Sequence, residues 1–384
     1  MKKILFFVNN WVTGGTEKMV GTLLENLGKQ ERNYKLVALR TMDDKRKQAW
    51  GGLPYPLGIE TIELRQRGKG FRRLIGLIPG LIKVLRGEKP QLIFTHMPPT
   101  GTAVIALSRF LSRDTSRIVC VHHNRFLSSQ YKNSPIKKIL VSYFYKNVDL
   151  HVHVSDSLRK FNVKEWGLPA QKSITIYNPV DFDEINKLAK APVPDDLSLF
   201  FDKPRITMVS RLSPQKDHQT LLRAFKKVIS RRPSYLFLIG DGEERLGVEQ
   251  LIQDLDLDDS VFLLGYKTNP YVYMAHSDIF VLSSHFEGLP TVVIEAMICG
   301  APVIASDCEF GPREILEDGK YGVLVPVGSV EILAERIINL LEDRGLAKKY
   351  AESAHRKAME FSKERIIPQY ETVVDQLLKE EAPN

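Results

Sequence analysis

Two acids and two cations in the C-terminal half of the chain are spaced as a site that grips phosphate and sugar would be. Glu287 and Glu295 bracket the start of an apolar helical run, Pro290-Thr291-Val-Val-Ile-Glu-Ala-Met297. Pro290 suits the first position of a helix, so the preceding loop from Ser283 ends in free N–H groups, a setting that binds phosphate. Glu295 lies four residues past Thr291 and shares its helix face. Its neighbours Val292, Val293, Ile294, Ala296 and Met297 are apolar. A carboxylate among them needs polar partners, and sugar hydroxyls are natural ones. Upstream, Arg211 and Lys216 stand five residues apart on one loop. An Arg fork and a Lys point charge suit a diphosphate, although such a pair alone is ordinarily two solvated loop charges.

The N-terminal half offers weaker signals. Gly14-Gly15-Thr16-Glu17 follows an apolar run and opens a helix. Paired glycines let backbone N–H groups approach an anion, and they also make plain tight turns. The motif is not Gly-x-Gly-x-x-Gly, and no Gly-Lys-Ser/Thr phosphate loop occurs anywhere, which counts against a dehydrogenase or a nucleoside triphosphatase. His122 and His123 stand side by side after the apolar run Val119–Val121.

These residues need elements to hold them, and short apolar runs alternate with helical patterns throughout, as in a parallel sheet covered by helices. The first half predicts strands at Lys3–Asn9, Lys35–Ala38, Gln91–Thr95, Arg117–Val121, Leu150–Val154 and Ile174–Ile176, with helices at Glu17–Leu27 and Arg72–Arg86 among others. The stretch from Lys190 to Asp196, with two prolines and no periodicity, reads as a linker. A second alternation follows, with strands at Arg205–Val209, Tyr235–Ile239, Val261–Leu264, Ile279–Leu282, Val303–Ala305 and Gly322–Val325. Its helices are expected at Thr220–Ser230, Glu243–Leu255, Pro290–Cys299 and Val330–Leu341, and the tail Ser362–Glu381 as a helix interrupted at Pro368. The expected fold class is α/β: two Rossmann-like, doubly wound parallel-sheet domains. Residues 1–190 form the first, with a returning helix 363–384, and residues 191–362 form the second. In such sheets ligands sit beyond the carboxyl ends of the strands, so the two domains are expected to face each other across a central cleft.

Composition narrows the class further. The chain has 384 residues, 43% hydrophobic and 26% charged, enough for two cores without a metal or disulfide staple. Only Cys120, Cys299 and Cys308 are present, none in a metal-type sequence pair, which fits a reducing compartment. No apolar run is long enough to span a bilayer, and the stretch Ile4–Val8 is too short for a secretion signal. A cytoplasmic protein is expected, with peripheral attachment to the inner face of the membrane. The net charge of +8 divides into +17 over residues 1–190 and −9 over the rest. A basic half implies an anionic partner. Arg65 to Lys89 holds eight Lys and Arg and one acid, and Arg125 to Lys146 mixes Lys132, Lys137 and Lys138 with Phe126, Tyr131, Tyr143, Phe144 and Tyr145. Both stretches could lie on an anionic membrane, or simply cover a sheet with their charges in water.

The ordered set Gly14-Gly-Thr-Glu, Arg211-x4-Lys216 and Glu287-x7-Glu295 resembles the retaining glycosyltransferases of family 4, which have the GT-B fold. Asp149-Leu-His-Val-His-Val-Ser155, Ile176-Tyr-Asn-Pro-Val-Asp181, Gly240-Asp-Gly-Glu243 and Asp307-Cys-Glu-Phe-Gly-Pro-Arg-Glu-Ile-Leu316 extend the likeness along nearly the whole chain. The resemblance implies that Arg211 and Lys216 hold the leaving diphosphate, Glu295 binds ribose hydroxyls and Glu287 faces the donor sugar. It implies that Gly15, Gly240, Gly288, Leu289, Pro290 and Thr291 line the donor, and that Gly265 and Tyr266 flank its base. Gly14, Gly15, Thr16, His96 and His123 would lie on the acceptor side. His122 matches the family's histidine near the reacting sugar, with the adjacent His123 a departure that leaves the choice between them open. The implied reaction moves a hexose or N-acetylhexosamine from a UDP-sugar to a saccharide acceptor, lipid-linked and of undecaprenyl type, with retention. The donor is a substrate, so no cofactor is expected. With no Asp-x-Asp motif evident near the expected cleft, no metal is expected either.

Other readings are a transferase for a soluble acceptor, a sugar-nucleotide epimerase on the same fold, and a basic nucleic-acid-binding protein. The Glu-x7-Glu arrangement argues against the epimerase. The absence of helix-turn-helix, zinc or RNP signatures argues against nucleic acid as a partner.

Overall fold

The computed structural model describes residues 1–9, 11, 14–28, 32–39, 55–64, 76–125 and 135–379. They form two compact units, Met1–Pro179 with Lys363–Asn384, and Val180–Ser362. The division therefore falls at Pro179/Val180 rather than 190/191, and the stretch expected as a linker lies inside the second unit. There Asp195 and Asp196 begin a short helix, and Asp196 receives hydrogen bonds from Lys267 and Tyr273.

The first unit is built on a seven-stranded sheet of order β3-β2-β1-β4-β5-β6-β7, parallel throughout. Its strands are β1 (Lys2–Val8), β2 (Arg32–Ala38), β3 (Glu60–Glu63), β4 (Leu92–Thr95), β5 (Arg117–His122), β6 (Leu150–His153) and β7 (Ser173–Thr175). Helices α1 (Gly15–Asn26), α2 (Ile78–Glu88), α3 (Pro99–Ser112), α4 (Pro135–Lys146) and α5 (Asp156–Trp166) accompany them. Because both faces are covered, the strands read as unbroken apolar runs; Ile4 to Phe7 and Leu92 to Phe94 are fully buried. The edge strand β3, Glu60-Thr-Ile-Glu63, has no such run and escaped the sequence reading. It is held by register with β2 and by the Lys35–Glu60 ion pair at 2.8 Å. Helix α2 starts at Ile78, later than the expected Arg72, and residues 71–75 lie outside the described ones.

The second unit carries a six-stranded parallel sheet of order β10-β9-β8-β11-β12-β13. Its strands are β8 (Arg205–Val209), β9 (Tyr235–Ile239), β10 (Val261–Gly265), β11 (Ile279–Leu282), β12 (Val303–Ser306) and β13 (Val323–Val325). The accompanying helices are α6 (Phe182–Ala189), α7 (Asp195–Ser198), α8 (His218–Arg231), α9 (Arg245–Asp254), α10 (Tyr271–Ala275), α11 (Thr291–Ile298), α12 (Pro312–Ile315), α13 (Val330–Glu342) and α14 (Arg344–Ala358).

The chain then returns to the first unit as α15 (Lys363–Lys379), which runs through Pro368 without the expected interruption. Proline removes one N–H and crowds the preceding turn. Here the buried face Ile366, Ile367, Tyr370, Val373 and Val374 holds the helix on both sides of it. Tyr370 is wholly buried, its ring 6.3 Å from that of Phe94, and burying a ring of this size stabilises by on the order of 2 kcal/mol. Glu371 accepts from the Gly28 N–H at 2.9 Å, and Asp375 pairs with Arg32.

Each sheet reverses its strand order once, between β1 and β4 in the first unit and between β8 and β11 in the second. Ligand crevices of doubly wound sheets open beyond the carboxyl ends of the strands at such points.

Candidate active site

In the second unit the expected cations and acids leave the sheet at this reversal. Arg211 and Lys216 follow β8, and Glu287 to Pro290 follow β11. Hydrogen bonds stitch the two loops together. The His285 N–H donates to the Gln215 carbonyl at 2.8 Å, and Gln215 Nε2 donates to the Phe286 carbonyl at 2.7 Å. The Ser283 hydroxyl lies 2.9 and 3.0 Å from the carbonyls of Lys216 and Asp217. This stitching brings Lys216 Nζ to 2.6 Å from Glu287 Oε1, with the two side chains 17% and 7% exposed. A buried ion pair requires close geometry to offset desolvation, and this one has it. Arg211 lies exposed on the same loop.

Glycines make the close approaches possible. At Gly240, φ is +135° and a Cβ would lie 1.9 Å from the Ser210 carbonyl oxygen; at Gly242 it would lie 2.1 Å from that of Leu212. The Gly240-Asp-Gly loop can therefore lie flat against the Arg211 loop, and the Gly240 N–H reaches the Gly265 carbonyl at 2.8 Å. Gly265 ends β10 with φ +66°, and Tyr266 beyond it is 40% exposed. Gly311, also at positive φ, abuts the Gly288–Pro290 segment, where a Cβ would meet Pro290 Cδ at 2.5 Å. Sequence alone assigns no role to Gly242, Gly311, Ser283 and Gln215, because their function is contact between loops distant in the chain. Pro290 is the residue before α11 rather than its first, and Thr291 begins the helix. Leu289 and Glu295 are buried, Glu295 at 7% exposure on α11.

Two titratable neighbours respond to these surroundings. Burial, with a lesser contribution from the Lys216 charge, brings His218 down to about 4, and its Nε2 lies 3.0 Å from the Ser210 hydroxyl. Burial, then the Glu287 carboxylate, pushes the Cys308 thiol up to about 12.

In the first unit, Gly14 precedes α1 in extended conformation, and Gly15 and Thr16 form its first turn. Thr16 lines a depression of about 200 Å³ together with His96, His122, His123 and Tyr145. The two adjacent histidines have different surroundings, because side chains alternate across a strand. His122 ends β5 facing Tyr145 of α4 and is 6% exposed; its Nδ1 lies 2.8 Å from the Tyr145 hydroxyl and its Nε2 3.0 Å from His151 Nδ1. His123 turns to the other face, where its Nε2 meets His96 Nδ1 at 3.0 Å. His96 in turn stacks on Phe6, with ring centroids 5.9 Å apart. Protein packed around His123 brings its imidazole down to about 4, although part of the residue still meets solvent. Burial holds His96 and His122 well below the usual histidine value.

Both halves of the chain match known families. Residues 13–184 match Glycosyltransferase Family 4, and residues 194–357 match Glycosyl transferases group 1. An uncharacterized glycosyltransferase of Methanocaldococcus jannaschii is 31% identical over 334 residues, covering 77% of this chain and 82% of that protein. The N-acetylgalactosamine-N,N'-diacetylbacillosaminyl-diphospho-undecaprenol 4-alpha-N-acetylgalactosaminyltransferase of Campylobacter jejuni is 28% identical over 377 residues, covering 95% and 97%. Among solved structures, Anabaena HepE in complex with UDP-glucose superposes with a TM-score of 0.78 at 22% identity, over 98% of this chain and 99% of that one. The protein is a glycosyltransferase of family 4, a hexosyltransferase with the two parallel-sheet, Rossmann-like domains of the GT-B fold.

Proposed function

We propose that the protein transfers a hexose or N-acetylhexosamine from a UDP-sugar to a lipid-linked saccharide, with retention of anomeric configuration, in the assembly of a bacterial surface glycan. The observation that carries this reading is the stitched pair of loops at the strand-order reversal of the second unit. It groups Arg211, Lys216, Glu287 and the start of α11 on one side of one sheet. UDP leaves as an anion while the sugar gains oxocarbenium character. Arg211, Lys216 and the N–H groups of α11 meet the charge growing on the departing phosphate. Glu295 holds the ribose, and Glu287, which orients Lys216, faces the sugar. Gly265 and Tyr266 flank the base, and the acceptor hydroxyl attacks from the face the diphosphate leaves, its proton passing to the departing phosphate oxygen.

In the first unit the role given to His122 passes to His123. Both His122 nitrogens are engaged inside the fold, whereas His123 lies beside Thr16 and His96 with part of the residue open to solvent. Related proteins support the donor and the acceptor: Anabaena HepE has been solved in complex with UDP-glucose, and the Campylobacter jejuni relative is named for an undecaprenol-diphosphate-linked substrate. An anionic membrane surface fits the +17 half and the exposed Phe110, Ile139 and Tyr143 of α3 and α4. Among the described residues no helix is long and apolar enough to cross a membrane.

The test is a thermal-shift screen of nucleotide sugars, followed by product analysis with labelled donor and lipid-linked acceptor. UDP-sugars should stabilise the protein and the product should keep the donor's anomeric configuration; an inverted product would refute the mechanism. Flotation with anionic liposomes at low salt separates a lipid-linked acceptor from a soluble one, since a soluble acceptor needs no membrane binding.

A further inference from the structure

Strands β5 and β6 carry a second cluster that the transfer reaction does not use. Their sequences, Cys120-Val-His122 and His151-Val-His153, alternate in step, and the register pairs Cys120 with His151 and His122 with His153. In paired parallel strands this places all four side chains on one sheet face. One ligand atom from each of Cys120, His122 and His151 lies within 4.8 Å of the other two, and all three residues are buried. A tetrahedral zinc centre, with bonds of about 2.0–2.3 Å, spaces its ligand atoms roughly 3.3–3.8 Å apart, so small side-chain rotations would close the set.

We propose that Cys120, His122 and His151 form a binding site for one zinc-class transition-metal ion in the first unit. A thiolate with two imidazoles is a donor set that such ions favour. A cluster that served packing alone would pair its polar atoms, yet His151 Nε2 and the neighbouring His153 Nε2 are buried and, among the described residues, make no hydrogen bond of ordinary geometry. Supporting contacts of the kind that orient metal ligands are in place. The Tyr145 hydroxyl meets His122 Nδ1 at 2.8 Å, and Thr102 Oγ1 of α3 lies 3.6 Å from Cys120 Sγ. The depression lined by His122 and Tyr145 reaches the cluster at His122. On binding, the Cys120 thiol proton passes to solvent and the sulfur–metal bond replaces it. Three protein ligands leave a fourth position for water. The ion would tie β5 to β6 beneath the strand end that carries His123.

The experiment titrates metal-depleted, reduced full-length protein with Co(II) and then Zn(II). One Co(II) per chain should bind with a thiolate-to-cobalt charge-transfer band, which Zn(II) displaces. The band should survive in Cys299→Ser/Cys308→Ser and vanish in Cys120→Ser, and His151→Gln should weaken affinity by ~100-fold or more. Zinc X-ray absorption on the unmutated protein gives a readout independent of any variant's folding, with one sulfur and the remainder nitrogen or oxygen in the coordination shell. No charge-transfer band with excess Co(II), a band that persists in Cys120→Ser, or a sulfur-free zinc shell would each overturn the proposal.

Discussion

Replacing Lys216 by Met should destabilise the second unit as well as disable the enzyme. The Glu287 side chain is 7% exposed and its carboxylate lies 2.6 Å from Lys216 Nζ. Removing the ammonium leaves a buried charge without its counter-charge, which costs about 3 kcal/mol. For a unit of this size that lowers the melting midpoint by about 6–12 °C. Replacing both partners, Lys216→Met with Glu287→Leu, removes the orphaned charge and should recover most of the loss, because apolar pairs of similar volume are tolerated where ion pairs were buried. Neither variant should turn over UDP-sugar, and neither should show the stabilisation by UDP expected of the parent. Differential scanning calorimetry with and without UDP, together with a donor-consumption assay, reads both quantities. If Lys216→Met melts within about 1 °C of the parent and is still stabilised by UDP, the pair neither holds the loops nor grips phosphate, and the reasoning fails.

Three further outcomes follow from the same geometry. Glu295→Ala and Arg211→Ala should each lower turnover by about two orders of magnitude or more with the fold retained, checked by circular dichroism beside the kinetic assay; wild-type rates in both would remove the donor site. Gly240→Ala should cost about 3 kcal/mol or more, because its Cβ would lie 1.9 Å from a backbone oxygen, whereas Gly247→Ala, with nothing within 4 Å, should be neutral or stabilising by up to ~1 kcal/mol. Denaturant midpoints compare the two. His218 is neutral in both folded and unfolded chains above about pH 6.5; below that the unfolded chain takes a proton that the folded one refuses until about pH 4. Stability should therefore fall across that window by about 1.4 kcal/mol per pH unit for this group, and His218→Gln should flatten that part of a pH–stability curve.

The alternation of strands and helices was legible in the chain because a parallel sheet covered on both faces demands unbroken apolar runs. Segments such as Tyr235–Ile239 and Ile279–Leu282 have little else to become, and they stand where periodicity put them. So was the meeting of the loops that carry Lys216 and Glu287, because loops after parallel strands all emerge at one edge. Other features were decided by tertiary packing. Edge strand β3 has a charged sequence and exists through its partner β2. Helix α15 continues through Pro368 because its apolar face is held by the first unit rather than by its own hydrogen-bond ladder. The division at Pro179/Val180 follows contacts that no local proline count reveals. The adjacent His122 and His123 look equivalent in a string of letters, yet strand alternation sends one into a buried network with Tyr145 and His151 and the other toward His96. Cys120 and His151 are distant in sequence and neighbours only through the register of β5 with β6. Periodicity reports which face of an element is apolar; strand pairing and order, which set what meets across that face, arise only when the chain closes on itself.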